Sequence, residues 1–194
     1  MHYVMIGNSI ASTACIEAIR TIDTEGPITV IGEENHPCYS RPLISYLLQG
    51  KTDEARLAYR AAAFYEENSV TVLQGIRATS IDKEKKTVLL DSEAVLAYDK
   101  LLLATGSSPF IPPIKGLEEV KNCFTFLALD EAKRLQAHLR KESRVLILGA
   151  GLIGLKCAEA IIDKVHSVSV VDLAPRVLMS VLDDAASEQV RKHL

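Results

Sequence analysis

Two stretches of the chain, Tyr3 to Ile31 and Val145 to Asp172, repeat one order: a short apolar run, a glycine turn, a helical stretch and a second apolar run. A strand, turn, helix, strand unit joins two parallel strands through a right-handed crossover, so the repetition restricts the chain to α/β architectures. In the first copy Tyr3 to Ile6 favours a strand and Gly7 to Ser9 a turn. Ile10, Cys15, Ile16, Ala18, Ile19 and Ile22 then recur at helical spacing. Gly26 and Pro27 end that helix and release the chain into a strand over Ile28 to Ile31.

Between the copies the pattern changes. Helices are expected around Pro42 to Leu48 and from Arg60 to Glu67. The run Val70 to Leu96 alternates β-favouring segments with charged clusters at Asp82 to Lys86 and Asp91 to Glu93, which predicts an antiparallel meander. Lys100 to Ala104 reads as a nearly continuous apolar strand, as expected at the centre of a parallel sheet. Pro109, Pro112, Pro113 and Gly116 mark Ser107 to Gly116 as a linker, and a helix follows over Leu129 to Lys141. At 194 residues the chain has room for one large domain or two small ones. The expected fold class is α/β with two Rossmann-like three-layer units on parallel sheets. The first unit, in residues 1–112, carries the inserted antiparallel β-meander; the second, in 113–194, is incomplete.

The second glycine turn carries the sharper chemistry. LILGAGLIGLKCAEA sets Gly149, Gly151 and Gly154 as GxGxxG between a strand and a helix. Gly149 permits the tight turn, Gly151 the close approach of a pyrophosphate, and Gly154 the packing of helix on strand. Amides at the helix N-terminus then face the negative charge. Asp172 closes VSVVD 18 residues after Gly154, close to the ~20 expected of an acid that grips ribose hydroxyls. An acid there favours NADH over NADPH, whose 2′-phosphate would meet a like charge; Arg176 softens that preference. The first turn, GNSIAS, keeps Gly7 but has Ser9 and Ser12 in place of the second and third glycines, and each added side chain narrows the gap. Glu33 and Glu34, after ITVIG, supply acids where a ribose would lie.

Other functions are disfavoured. The formal net charge of −3 provides no basic coat for nucleic acid, and 5% aromatic residues with no Trp provide few stacking platforms. The longest near-apolar stretch, Val145 to Leu155, is broken by three glycines and is shorter than the ~20 residues of a bilayer span. The N-terminus lacks the basic flank and unbroken apolar run of an export signal. Cys15, Cys38, Cys123 and Cys157 are widely spaced and read as reduced thiols, and His36 with Cys38 cannot by themselves fill a zinc site. A cytoplasmic protein without a metal site is expected.

The ordered segments GNSIAS, GEENHPCYSRPL, YDKLLLATGSSP, GAGLIGLKCAEA and VVDLAPRVL resemble the FAD-dependent pyridine-nucleotide oxidoreductases over nearly the whole chain. The branch resembled holds rubredoxin and ferredoxin reductases, the reductase portion of NADH-dependent nitrite reductases, and apoptosis-inducing-factor-like proteins. The resemblance implies that 1–112 is an FAD-binding segment and 113–194 an NAD(P)H-binding segment. It also implies that Gly7, Ser9 and Ser12 take the ADP half of FAD, with Glu33 and Glu34 on its ribose. Arg41 would contact FAD, Pro42 would lie near the flavin, and Thr105 and Gly106 would form the strand-end turn that approaches it. The implied activity passes a hydride from NADH to FAD, then electrons to an acceptor such as a small iron or iron-sulfur protein.

Departures from that pattern restrict what carries over. Several relatives have a lysine near the flavin where this chain has Tyr46, and many have a glutamate near nicotinamide where it has Lys156. No catalytic residue is therefore assigned. The reactive cysteine of some relatives would fall near Pro42, and Cys38 lies four residues early. Family members are longer, so the chain reads as a fragment or a truncated homologue. Two further readings stay open: a non-catalytic dinucleotide-binding or partner-subunit module, and a thiol-dependent disulfide or peroxide reductase. A homo-oligomer is also left open.

Overall fold

A computed structural model describes residues 1–194. In chain order its elements are β1 (Tyr3–Ile6), α1 (Ile10–Arg20), β2 (Ile28–Gly32), α2 (Ile44–Gln49), α3 (Phe64–Glu67), β3 (Val70–Gln74), β4 (Ala78–Asp82), β5 (Thr87–Leu90), β6 (Val95–Ala97) and β7 (Lys100–Leu103). They continue with α4 (Leu129–His138), β8 (Arg144–Leu148), α5 (Leu152–Ile161), β9 (Ser167–Val171) and α6 (Asp184–Arg191). The chain forms two compact units, residues 1–40 with 57–107, and residues 41–56 with 108–194.

The first unit is built on a parallel sheet in the order β3-β2-β1-β7. Alternation along β1 explains its layers. Met5 points to one face, where it packs with Ile16 of α1, Ile28, Val30 and Phe64 of α3; Val4 points to the other, with Ile31, Val88 and Leu90. Helices thus cover one face and the antiparallel sheet β4-β5-β6 covers the other. All five residues of β2 are buried, as a strand covered on both faces requires.

The second unit centres on the parallel pair β8-β9. Val145, Ile147 and Val168 pack with Cys157, Ala160 and Ile161 of α5, Leu135 of α4 and Leu48 of α2. On the opposite side of the pair Leu146, Leu148 and Val171 are exposed.

Several local expectations change. Val70–Gln74 belongs to the parallel sheet, paired to β2, so the meander starts only at Ala78. β7 pairs with β1 at the sheet edge, where Leu103 is 61% exposed, in place of the expected central position. The helix expected from Arg60 is confined to α3. Arg60 instead binds the Glu17 carboxylate through Nε and NH2 at 2.8 and 3.1 Å and lies 4.3 Å over the Tyr59 ring. The segment 41–56 groups with the second unit, where Leu48 is buried in the core and Arg41 donates to the Leu127 carbonyl at 3.2 Å. No helix is long and apolar enough to cross a membrane.

Candidate functional site: two glycine turns

The two turns are built alike. The Gly7 amide donates to the Ile31 carbonyl and the Gly149 amide to the Val171 carbonyl, each at 2.8 Å, so each turn is fastened to the end of the next strand. Both glycines have left-handed φ values, +114° and +112°, which disfavour any side chain. A Cβ on Gly7 would also lie 2.0 Å from the Ala104 carbonyl oxygen, so this turn sits directly beside the one carrying Thr105 and Gly106. Those two residues are exposed, with Gly106 at φ +71°.

Behind each turn a helix opens without a side-chain cap. Ser9 is the N-cap of α1 and Gly151 that of α5, and neither supplies a side-chain bond to the first amides. Those amides remain donors for an incoming anion. Around Gly151 nothing lies within 4 Å of an added Cβ, so its face of the turn is open. Gly154 faces inward: a Cβ there would lie 2.0 Å from the Gly149 carbonyl oxygen. Ser12 occupies the corresponding place in the first unit, fully buried, and its hydroxyl donates to the Gly7 carbonyl at 2.5 Å. The first turn accepts a larger residue by converting a contact into a hydrogen bond.

The acids differ between the units. Asp172 Oδ2 accepts from the Ala150 amide at 2.6 Å and Oδ1 from the Ala174 amide at 2.7 Å. These bonds, that of Ala174 foremost, hold its carboxyl below the usual carboxylate range. It therefore remains an acceptor at neutral pH and ties the end of β9 to the glycine turn. Equating Ile31 with Val171 puts Gly32 in the place of Asp172. A side chain is excluded there because a Cβ on Gly32 would lie 2.9 Å from that of Asn8. The acids follow one step later. Exposed Glu33 lies 3.8 Å from Arg77, and Glu34 accepts from the Tyr39 hydroxyl at 2.5 Å.

Asn8 escaped the sequence reading. Its Oδ1 accepts from the Tyr65 hydroxyl at 2.7 Å, while its buried Nδ2 has no protein partner. An orphaned donor in the first turn, together with uncapped helix amides and flanking acids, fits a ligand rich in phosphate and hydroxyl acceptors. The only prior sign was an Asn following the first glycine.

The other candidates divide between the units. Gly7, Ser9, Ser12, Glu33, Glu34, Thr105 and Gly106 belong to the first; Arg41, Pro42, Gly149, Gly151, Gly154 and Asp172 belong to the second. No group of three or more His, Cys, Asp or Glu side chains is arranged to hold a metal. No disulfide joins Cys15, Cys123 or Cys157. Cys38 is only 4% exposed and so lacks the access of a reactive thiolate, and burial pushes the Cys157 thiol up to about 11.

Comparison with known proteins places this geometry in context. The profile of the family described as pyridine nucleotide-disulphide oxidoreductase matches residues 1–194. The chain is 34% identical over 192 residues to a nitrite reductase [NAD(P)H] of Bacillus subtilis (strain 168), covering 98% of this chain and 24% of the relative. It is 31% identical over 195 residues to a rubredoxin-NAD(+) reductase of Pseudomonas putida, covering 100% of this chain and 50% of the relative. Among solved structures, a ferredoxin reductase from Rhodopseudomonas palustris superposes with a TM-score of 0.89 at 28% identity, over 99% of this chain and 47% of that one. The chain thus spans between a quarter and a half of the length of these proteins.

Proposed function

The chain belongs to the pyridine nucleotide-disulphide oxidoreductase family, and from that premise we propose that it carries the nucleotide-binding part of an FAD-dependent NADH oxidoreductase. Electrons would pass to a small iron or iron-sulfur protein. A relative named for rubredoxin supports that acceptor class, as does the likeness to a putidaredoxin reductase solved in covalent complex with putidaredoxin.

In this reading the first unit holds FAD. The amides behind Gly7 and Ser9 would take its pyrophosphate, Ser12 sets the spacing of helix and turn, and Glu33 and Glu34 would accept from its ribose. Thr105 and Gly106 line the neighbouring strand end, and by the family resemblance Arg41 and Pro42 would contribute to FAD binding. The second unit would hold NADH, with Gly149, Gly151 and Gly154 taking its pyrophosphate and Asp172 its ribose hydroxyls. FAD when bound supplies the acceptor of an electron pair and NADH the hydride; the protein's task is to orient the rings and set their field. The exposed, ionised Asp172 disfavours a 2′-phosphate, so NADH is preferred to NADPH. The wide spacing of the four cysteines accords with the cytoplasm.

The observation that carries this reading is the open face at Gly151 beside an aspartate bonded to the turn's own amide. It is tested by supplying the purified chain with FAD, recording its flavin absorbance, and adding NADH under anaerobic conditions. Bound flavin that bleaches supports the reading. A chain that takes up FAD but never bleaches with NADH or NADPH overturns it as an oxidoreductase, and one that binds neither nucleotide overturns it altogether.

A further inference from the structure

Ala150, between the first two glycines of the second turn, is fastened through both polar groups of its backbone. Its amide donates to Asp172 Oδ2 at 2.6 Å, and its carbonyl accepts from the Leu178 amide at 3.0 Å. Leu178 makes that bond from a left-handed backbone, at φ +52°. Side chains other than glycine resist this conformation, because Cβ crowds the following carbonyl oxygen. The surroundings hold it there. The Leu178 carbonyl accepts from the Val181 and Leu182 amides, each at 2.9 Å, and the Val177 carbonyl accepts from the buried Ser187 hydroxyl at 2.7 Å. Arg176 closes the loop, donating from NH2 to the Leu182 carbonyl at 3.3 Å and pairing through NH1 with Asp184 at 2.9 Å.

A trans peptide is planar, with its carbonyl and its N–H pointing in opposite directions. Anchoring the Ala150 carbonyl on Leu178 therefore also sets the direction of the Gly151 amide, at the other end of the same plane. Gly151 needs such an anchor. Glycine tolerates either sign of φ, so the Ala150–Gly151 plane can turn over at little local cost unless something outside the turn holds it. Turned over, it would present a carbonyl oxygen in place of an N–H to an anion at this helix start. The preceding plane, Gly149–Ala150, is held by Asp172 through the Ala150 amide. In the first unit Asn8 takes the place of Ala150, and there the Tyr65 hydroxyl holds the side chain, donating to Oδ1 at 2.7 Å.

We propose that Leu178 is a positioning residue of the nucleotide turn: its left-handed backbone aims an amide at the Ala150 carbonyl, which keeps the Gly151 N–H turned toward the pyrophosphate. A donor oriented in advance spares the ligand the cost of ordering it. The proposal rests on the reading that the second unit binds NADH. It assigns the task to the backbone of Leu178, so the conformation that a substitute prefers matters more than its bulk.

The test measures NADH dissociation constants by fluorescence titration for the chain and for Leu178→Gly, Leu178→Asn and Leu178→Ile, with urea midpoints to show that each titration is made on folded protein. Glycine and asparagine enter the left-handed region readily, whereas isoleucine, an isomer of leucine, is branched at Cβ and resists it. Leu178→Gly and Leu178→Asn should bind NADH within about twofold of the parent, and Leu178→Ile about tenfold more weakly. ADP, which carries the diphosphate, should lose affinity for Leu178→Ile in step with NADH, and adenosine should not. A side chain needed for packing gives the reverse order, isoleucine nearest the parent and glycine farthest; that order overturns the proposal and leaves the proposed function intact. An adenosine affinity that falls as far as that of ADP does the same. Leu178→Gly decides the matter even where Leu178→Ile unfolds: parent-like affinity supports the backbone role, and a loss of about tenfold overturns it. A parent chain that binds no NADH overturns both the proposal and the reading beneath it.

Discussion

Ser12 donates its buried hydroxyl to the carbonyl oxygen of Gly7 at 2.5 Å, where the second unit has only Gly154 beneath the carbonyl of Gly149. The same supersecondary element thus closes in two ways. Ser12→Ala removes one hydrogen bond and should cost about 0.5–1.5 kcal/mol. Ser12→Val adds bulk without a donor and should cost about 1–3 kcal/mol. Urea midpoints of the two variants would give this order; a more stable valine variant would contradict it.

Gly154→Ala has no such relief, because the added Cβ meets backbone at 2.0 Å and α5 must move from the turn. A loss of about 1–3 kcal/mol is expected, with weaker NADH binding. Gly151→Val differs in kind. Gly151 has an ordinary φ of −81° and open space around its Cβ position. Its unfolding free energy should stay within about 0.5 kcal/mol of the parent's, while NADH affinity, read by fluorescence titration, falls at least about tenfold. Equal NADH affinity in parent and Gly151→Val would remove the pyrophosphate from this turn.

Asp172 makes stability depend on pH with a definite sign. Its carboxyl holds its proton less tightly in the folded chain than in the unfolded one, through the Ala174 and Ala150 amides. The stabilisation is fully present above the unfolded carboxyl's titration near pH 4 and is lost as the pH falls through the lower folded value. The difference in urea midpoint between the parent and Asp172→Ala should accordingly be greatest at pH 7 and shrink below about pH 4. The same variant should narrow the preference for NADH over NADPH, measured as a ratio of dissociation constants.

Thiol chemistry offers a separate check. Cys123 is exposed, whereas Cys38 and Cys157 are buried. With a chromogenic disulfide at pH 8, one thiol should react rapidly in the native chain and Cys123→Ser should abolish that phase. Cys38→Ser should leave NADH-dependent flavin reduction within about twofold of the parent; loss of reduction would restore the thiol-dependent reading.

The glycine turns were legible because their requirements are local: a left-handed φ at Gly7 and Gly149 and a close approach at Gly154 depend on a few consecutive residues. Strand membership was not. Val70–Gln74 has the composition of a meander strand, and only its pairing with Ile28–Gly32 assigns it to the parallel sheet. Asp172 was found by spacing, but its bond to Ala150, 22 residues away, follows from the register of β8 with β9. Asn8 and the contact of Tyr46 with Lys156 left no periodic trace, since each depends on residues brought together from distant positions.

The assignment of Arg41–Arg56 to the second unit bears on how such a chain can be recombined. A single exchange near residue 112 would transplant β8, α5 and β9 without Leu48, leaving Leu135 and Ile161 facing a foreign helix or solvent. Chimaeras with a related protein should therefore succeed when both pieces come from one parent, by a double exchange flanking residues 41–56, and fail when the downstream piece travels alone. Inheritance of the two halves is linked through a passage of sixteen residues.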